Sequence, residues 1–190
     1  FWDFWGPLLL TLSLYTGIRH FIAEARYIPS GSMLPGLQVN DRLLVEKMTL
    51  RNRSPNRGEI IVFNSPNAFD SQLISKRKKG LPSTLQCVLV GFPLMNIIPG
   101  LADPACDDYI KRVVAIEGDK VSVNSKGELF LNGVFKKENY VTNYCQVDRT
   151  GFSICKTLNQ MVPKGHVLVL GDNRRNSWDS RFWPGGPFLP

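Results

Sequence analysis

Two hydroxyls and a glycine lie between prolines in the stretch Tyr27-Ile28-Pro29-Ser30-Gly31-Ser32-Met33-Leu34-Pro35. A serine hydroxyl is a weak nucleophile until a base removes its proton. Without such a base, Ser-Gly-Ser between prolines is only a turn. The two histidines are poor partners: His20 follows an apolar segment and His166 opens a strand-like run. A lysine can serve instead where burial disfavours its charged form. Lys111 has such a setting. On a strand its same-face neighbours are Tyr109, Val113 and Ala115, although the same parity fits an edge lysine facing solvent. Arg112 faces Ile110, Val114 and Ile116, and a guanidinium that keeps its proton there needs a carboxylate. Gly171 to Arg181, GDNRRNSWDSR, supplies Asp172 and Asp179, which can pair with arginines of the same loop. It also holds Ser177, which could orient a neutral amine, and a charged surface loop accounts for the stretch equally well.

These groups need elements to position them. After Pro35 the pattern is that of β structure: VNDRLLVEK from Val39, the apolar run RGEIIVF from Arg57, and YIKRVVAIEGDKVSVNSKGELFLNGV from Tyr109. Ser125-Lys126-Gly127 and Asn132-Gly133 mark two turns in the last of these, the second a strong hairpin signal. Gly165 to Asn173 reads as a short buried strand running into a polar loop. Residues 64–108 differ. Five prolines interrupt them, and the apolar run Leu85 to Leu101 is broken by Gly91, Pro93 and Pro99, which argues against a bilayer span there.

Phe1 to Ile18 is mostly apolar and precedes Arg19-His20. A span needs about 20 apolar residues, so the stretch predicts an anchor only if its helix continues through Phe21 to Ala25. A chain beginning with Phe rather than Met leads us to expect missing upstream residues. A cleaved leader would carry a basic start, which this segment lacks. The net charge of +7 concentrates at Lys76-Arg77-Lys78-Lys79, a solvated loop run without interleaved aromatics, so no nucleic-acid partner is expected. With two histidines and no Cys-x-x-Cys pair, no metal site is expected. Cys145 and Cys155 suit a disulfide loop in an oxidising compartment, with Cys87 and Cys106 closing a second; four cysteines allow three connectivities.

YIPSGSMLPGL, RLLVEK, RGEIIVF, YIKRVVAIEGD and GDNRRNSWDSRFW stand in the order found in type I signal peptidases, and the chain resembles that family from Tyr27 to Trp183. The long insert and the Cys145/Cys155 segment look most like its cyanobacterial and thylakoid branch. The resemblance implies a membrane-anchored Ser-Lys endopeptidase without cofactor, acting on signal peptides of preproteins after Ala-X-Ala. It would be held at a plasma or thylakoid membrane, its partner the lipid bilayer, with the catalytic part on the periplasmic or lumenal side. By that resemblance Ser32 is the nucleophile and Lys111 its general base. Ser30 donates to the oxyanion hole along with the Ser32 N–H, and Ser177 orients Lys111. Ile28, Pro29, Met33, Tyr109 and Ile110 line small subsites. Asp172 with Arg112, and Asp179 with Arg181, are structural ion pairs.

The fold expected is mainly β: an antiparallel-sheet signal-peptidase-like catalytic core (24–64, 108–118, 165–190), a β-rich satellite domain (119–164), an insert (65–107) and one N-terminal transmembrane helix (1–23). Departures from the family pattern are Gly36 where threonine is common, Arg175 where Asp or Asn is common, and an end at Gly-Gly-Pro-Phe-Leu-Pro where a further strand is expected. A self-cleaving repressor with the same dyad would carry a helix-turn-helix ahead of the serine, where this chain has an apolar segment. A non-enzymatic β domain would leave Ser32 and Lys111 far apart.

Overall fold

The computed structural model describes residues 2–65, 108–147, 149–151 and 153–190. The expectations for the insert, its basic run, Cys87 and Cys106 fall outside those residues, apart from Ser65 at the insert's start.

The chain opens with helix α1 (Trp2–Gly17), which runs into one π-helical stretch, Ile18–Ile22. Leucines on all sides of α1 are exposed, among them Leu8, Leu9, Leu10, Leu12 and Leu14. At about 1.5 Å per residue, its 16 residues cover roughly 24 Å, short of a hydrocarbon core of about 30 Å. Among the described residues no helix is long and apolar enough to cross a membrane.

Among the described residues ten strands follow, in three antiparallel sheets. β1 (Ala23–Tyr27) pairs with β2 (Arg42–Glu46), from Ala23 opposite Glu46 to Tyr27 opposite Arg42. The connection between them, residues 28–41, carries Ser32 on a 3-10 turn, Gly31–Met33. Its neck is closed by Ile28 N donating to Asp41 O (2.9 Å) and Asn40 N to Ile28 O (2.8 Å). A short helix α2 (Thr49–Asn52) follows β2.

The central sheet is ordered β10-β9-β4-β3, built from β3 (Ile60–Asn64), β4 (Asp108–Ile116), β9 (Val167–Leu170) and β10 (Phe188–Leu189). A third sheet, β7-β6-β5-β8, comprises β5 (Lys120–Val123), β6 (Leu129–Leu131), β7 (Val134–Lys136) and β8 (Leu158–Met161). Asn132 and Gly133 both adopt positive φ (52° and 83°) in the tight turn that sets Leu131 opposite Val134. That is the turn geometry an Asn-Gly pair favours, because its twist matches the flanking strands.

β9 is buried throughout, so its alternate residues serve two faces. Val167 and Val169 pack with Ile61, Val113, Trp183 and Leu189. Leu168 and Leu170 pack with Val114, Ala115, Val121, Val123, Leu129, Leu131 and Val162. The second cluster joins the central sheet to the third, so the segment expected as a satellite shares an apolar core with the strands of the central sheet. Each fully buried side chain of this kind contributes about 2 kcal/mol.

One parity expectation is corrected. Val113 pairs with Val169 but Ala115 with Leu168, so β4 carries one extra residue there. Such a bulge reverses which face the following residues meet. Ala115 therefore joins the face toward the third sheet and is not a same-face neighbour of Lys111.

Candidate active site

Lys111 lies on β4, flanked by β3 and β9; its register partner on β3 is Ile61. Pairing with β3 at Lys111 and with β9 from the adjacent Arg112 onward holds the strand, and Lys111 is only 4% exposed. The loop between β1 and β2 brings Ser32, also buried, onto it. Lys111 Nζ and Ser32 Oγ are 3.0 Å apart although the residues are 79 positions apart in sequence. Nζ also donates to Ile110 O at 2.9 Å. Burial pushes the amine down from 10.5 to about 8, while the charges of Asp179 and Asp172 push the other way. Desolvation wins because no carboxylate bonds the amine directly. An amine that loses its proton near pH 8 can take one from a hydroxyl 3 Å away.

Ser30 Oγ donates to Ser32 Oγ at 3.4 Å, so both hydroxyls lie on the same side of the turn. The polar loop after β9 closes over the opposite side. Asn173 N donates to Ser32 O, and Asn173 Nδ2 donates to Gly31 O, each at 3.0 Å. This close approach depends on Gly171. A Cβ there would lie 2.6 Å from Ser32 O and 2.2 Å from Ser177 Oγ, inside van der Waals contact with both.

Ser177 sits against Gly171, and its Oγ is buried with no hydrogen-bond partner among the described residues. The bonds of Lys111 Nζ go to Ser32 and Ile110, so the structure does not bring Ser177 into a hydrogen bond with the amine. The residues named as subsite lining are grouped near Ser32. Ile28 (2% exposed) and Met33 (1%) are buried and can only floor a pocket, whereas Pro29 is exposed and Tyr109 and Ile110 are half-buried. Lys111 Nζ lies 5.6 Å from the centre of the Tyr109 ring.

Charged pairs brace the loop. Arg112 meets Asp172 in a two-pronged bond, Nε to Oδ1 at 2.9 Å and Nη2 to Oδ2 at 2.7 Å, and caps Gly58 O with Nη1. Gly36 makes room for this pair, since a Cβ there would sit 3.0 Å from Asp172 Oδ2. Arg181 bonds Asp179 through Nε (2.8 Å) and Nη2 (2.9 Å), and Asp179 Oδ2 accepts from Gly171 N at 3.0 Å.

Arg174 does not pair within its own loop. It reaches Glu138 with two bonds of 2.6 and 2.8 Å, and also donates to Gly127 O and Gly171 O. Both members of this pair are buried. Cys145 and Cys155 form a disulfide beside Arg174 O, and Arg181 Nη2 donates to that same oxygen.

Sequence reasoning missed four of these residues. Gly171 and Asn173 had a local signal, a Gly-Asp-Asn run directly after a buried strand. Arg174 was read as pairing locally, and Glu138 had no signal at all, because its partner lies 36 residues away.

A family model described as signal peptidase, peptidase S26, matches residues 2–190. The chain is 37% identical over 179 residues to a probable signal peptidase I-2 of Synechocystis sp., covering 94% of this chain and 64% of that one. It is 38% identical to a signal peptidase I of Leptolyngbya laminosa, covering 92% and 67%. It is 32% identical to the chloroplastic thylakoidal processing peptidase 1 of Arabidopsis thaliana, covering 87% and 38%. The chain thus spans about two thirds of the length of the first two relatives.

Proposed function

The chain belongs to the signal peptidase family, peptidase S26, and from that premise we propose that it is a serine endopeptidase that removes signal peptides, with Ser32 as nucleophile and Lys111 as general base. The observation that carries this reading is the 3.0 Å approach of a buried amine, titrating near pH 8, to the Ser32 hydroxyl.

In the mechanism, neutral Lys111 Nζ takes the Ser32 Oγ proton as Oγ attacks the scissile carbonyl carbon. Negative charge gathers on the carbonyl oxygen, which accepts from the Ser32 N–H and the Ser30 hydroxyl; one such donor is commonly worth about 3 kcal/mol. Protonated Lys111 then gives its proton to the leaving amine, and the acyl chain remains on Ser32 as an ester. Nζ, neutral again, deprotonates a water that attacks the ester, and Ser32 recovers its proton on release. Asp172–Arg112 and Asp179–Arg181 hold the loop, and the Ser177 hydroxyl, buried against Gly171, is read as the group that orients the amine.

A site floored by Ile28 and Met33 beside Tyr109 and Ile110 suits small side chains, in keeping with Ala-X-Ala before the cut. The substrate would bind extended, adding its backbone to a strand edge. Exposed leucines around α1 favour a lipid environment, with the helix as anchor and the π-helical stretch carrying it toward the headgroups. The Cys145–Cys155 disulfide suits an oxidising compartment, hence a periplasmic or lumenal catalytic side.

The deciding experiment incubates the chain in bilayer-mimicking detergent with a preprotein bearing Ala-X-Ala, alongside Ser32→Ala. Cleavage after the second alanine, absent in the variant, is expected. Equal cleavage by a folded Ser32→Ala protein would remove Ser32 from the reaction.

A further inference from the structure

We propose that Asn173 is a positioning residue for the oxyanion hole: its side-chain amide holds the Gly31 carbonyl and so aims the Ser32 N–H at the oxygen that becomes negative. This rests on reading Ser32 as the nucleophile.

A backbone N–H has no rotamer of its own. Its direction is that of the peptide plane it belongs to, here the plane joining Gly31 to Ser32. Among the described residues the one cis bond is Leu34-Pro35, so the Gly31–Ser32 bond is trans. In a planar trans peptide the C=O and N–H point in opposite directions. Whatever holds Gly31 O on one side therefore directs Ser32 N–H to the other. Glycine restrains its own ψ weakly, so this plane is the one in the turn that is most easily rotated.

Asn173 Nδ2 holds Gly31 O at 3.0 Å, assisted by a longer bond from Leu34 N at 3.3 Å. The next plane, joining Ser32 to Met33, is held by the same residue through its main chain, Asn173 N to Ser32 O at 3.0 Å. Both peptide planes flanking the nucleophile thus answer to one residue, which is itself only 7% exposed. Its base is firm: Asn176 N donates to Asn173 O at 3.0 Å, and the adjacent Arg174 is fixed by Glu138. A donor on Gly31 O also polarises the peptide and strengthens Ser32 N–H as a donor in turn. An amide is required for this. A carboxylate of the same shape would face the carbonyl oxygen with a second acceptor.

The test compares wild type, Ser32→Ala, Asn173→Ala and the isosteric Asn173→Asp on a fluorogenic Ala-X-Ala peptide. It adds a peptide aldehyde of the same sequence, whose serine adduct places its oxygen in the same hole. Both Asn173 variants keep Asn173 N on Ser32 O. The expected result is a fall in kcat of about tenfold, the scale of one neutral hydrogen bond, with KM within about twofold. Aldehyde binding should weaken by about the same factor as kcat/KM. The pH midpoint of kcat/KM should stay at its wild-type value in Asn173→Ala, because Lys111 is untouched and no charge is added; in Asn173→Asp the new carboxylate should move it upward, as Asp172 and Asp179 already do. If the alanine variant does not fold, the aspartate variant decides. Wild-type kcat in folded Asn173→Asp overturns the proposal, as does a loss confined to KM or, in Asn173→Ala, a moved pH midpoint. Should folded wild-type protein fail to cleave, or Ser32→Ala cleave normally, the serine-peptidase reading falls and this proposal with it.

Discussion

Lys111 and Ser32 meet at 3.0 Å, yet they are held by different means. The lysine stands on a nine-residue strand hydrogen-bonded on both edges, and its chemistry comes from apolar burial. The serine stands on a single 3-10 turn between two short strands, and its place comes from polar bonds supplied by a loop whose Asn173 lies 142 positions beyond Gly31. In the proposed dyad, the base is tuned by what is kept away from it, whereas the nucleophile is tuned by what is brought to it. Damage to the core should therefore alter the titration of the amine, and damage to the loop should alter geometry at constant titration.

The largest effect should come from removing the amine. Lys111→Met is expected to lower kcat/KM by about 10³-fold or more. It should also stabilise the fold near pH 7 by about 1–3 kcal/mol, read by urea denaturation. Working the sign, the folded protein holds its Lys111 proton less tightly than the unfolded chain, so the unfolded state binds more protons between about pH 8 and 10.5. The native lysine accordingly costs stability below pH 8, and that cost fades as pH rises through the window. Equal stability of the two proteins at pH 7 would contradict the burial account.

Next in size is the loop's buried brace. Glu138→Ala leaves Arg174 without a counter-ion among its buried contacts, which should cost about 3–5 kcal/mol. Activity of the folded fraction should fall through kcat, with the pH midpoint retained. Gly171→Ala comes third. Its new methyl group collides with Ser177 and with Ser32 O, so a loss of about 1–3 kcal/mol is expected, together with a fall in kcat. Full activity in that variant would show that the two loops need not approach so closely.

The smallest effect sharpens the base alone. Asp179 and Asp172 both raise the pKa of Lys111. Asp179→Asn removes one negative charge and frees Arg181, so the midpoint of the pH–rate profile should move to lower pH. A shift to higher pH would reverse the assigned sign.

The same contrast explains how much could be read from the sequence. Strand-borne features were legible, because periodicity and turn chemistry are local. Alternation and Asn132-Gly133 marked the β4 to β7 region, and Val167 to Leu170 announced a strand buried on both faces. Lys111 stood out because its neighbours were apolar. The bulge at Val114 was not legible, since it depends on register with β9 and reverses parity without a local sign. The serine loop was recognisable as Ser-Gly-Ser between prolines, but its support was not. Asn173, Gly171 and the Arg174–Glu138 pair act across distances in sequence that no local pattern spans. The shared core of the central and third sheets was hidden for the same reason: strands β5 to β8 alternate as they would in a separate unit, and only the packing of Leu168 and Leu170 against Val121 and Val123 joins them.

The central claim is that a buried amine, uncharged at working pH, stands against the Ser32 hydroxyl. Its most direct test is an NMR titration of the Lys111 side chain in active protein, run beside the pH profile of kcat/KM. The account predicts one midpoint near pH 8 for both. A lysine still protonated at pH 10 in an enzyme turning over fully at pH 8 would contradict it.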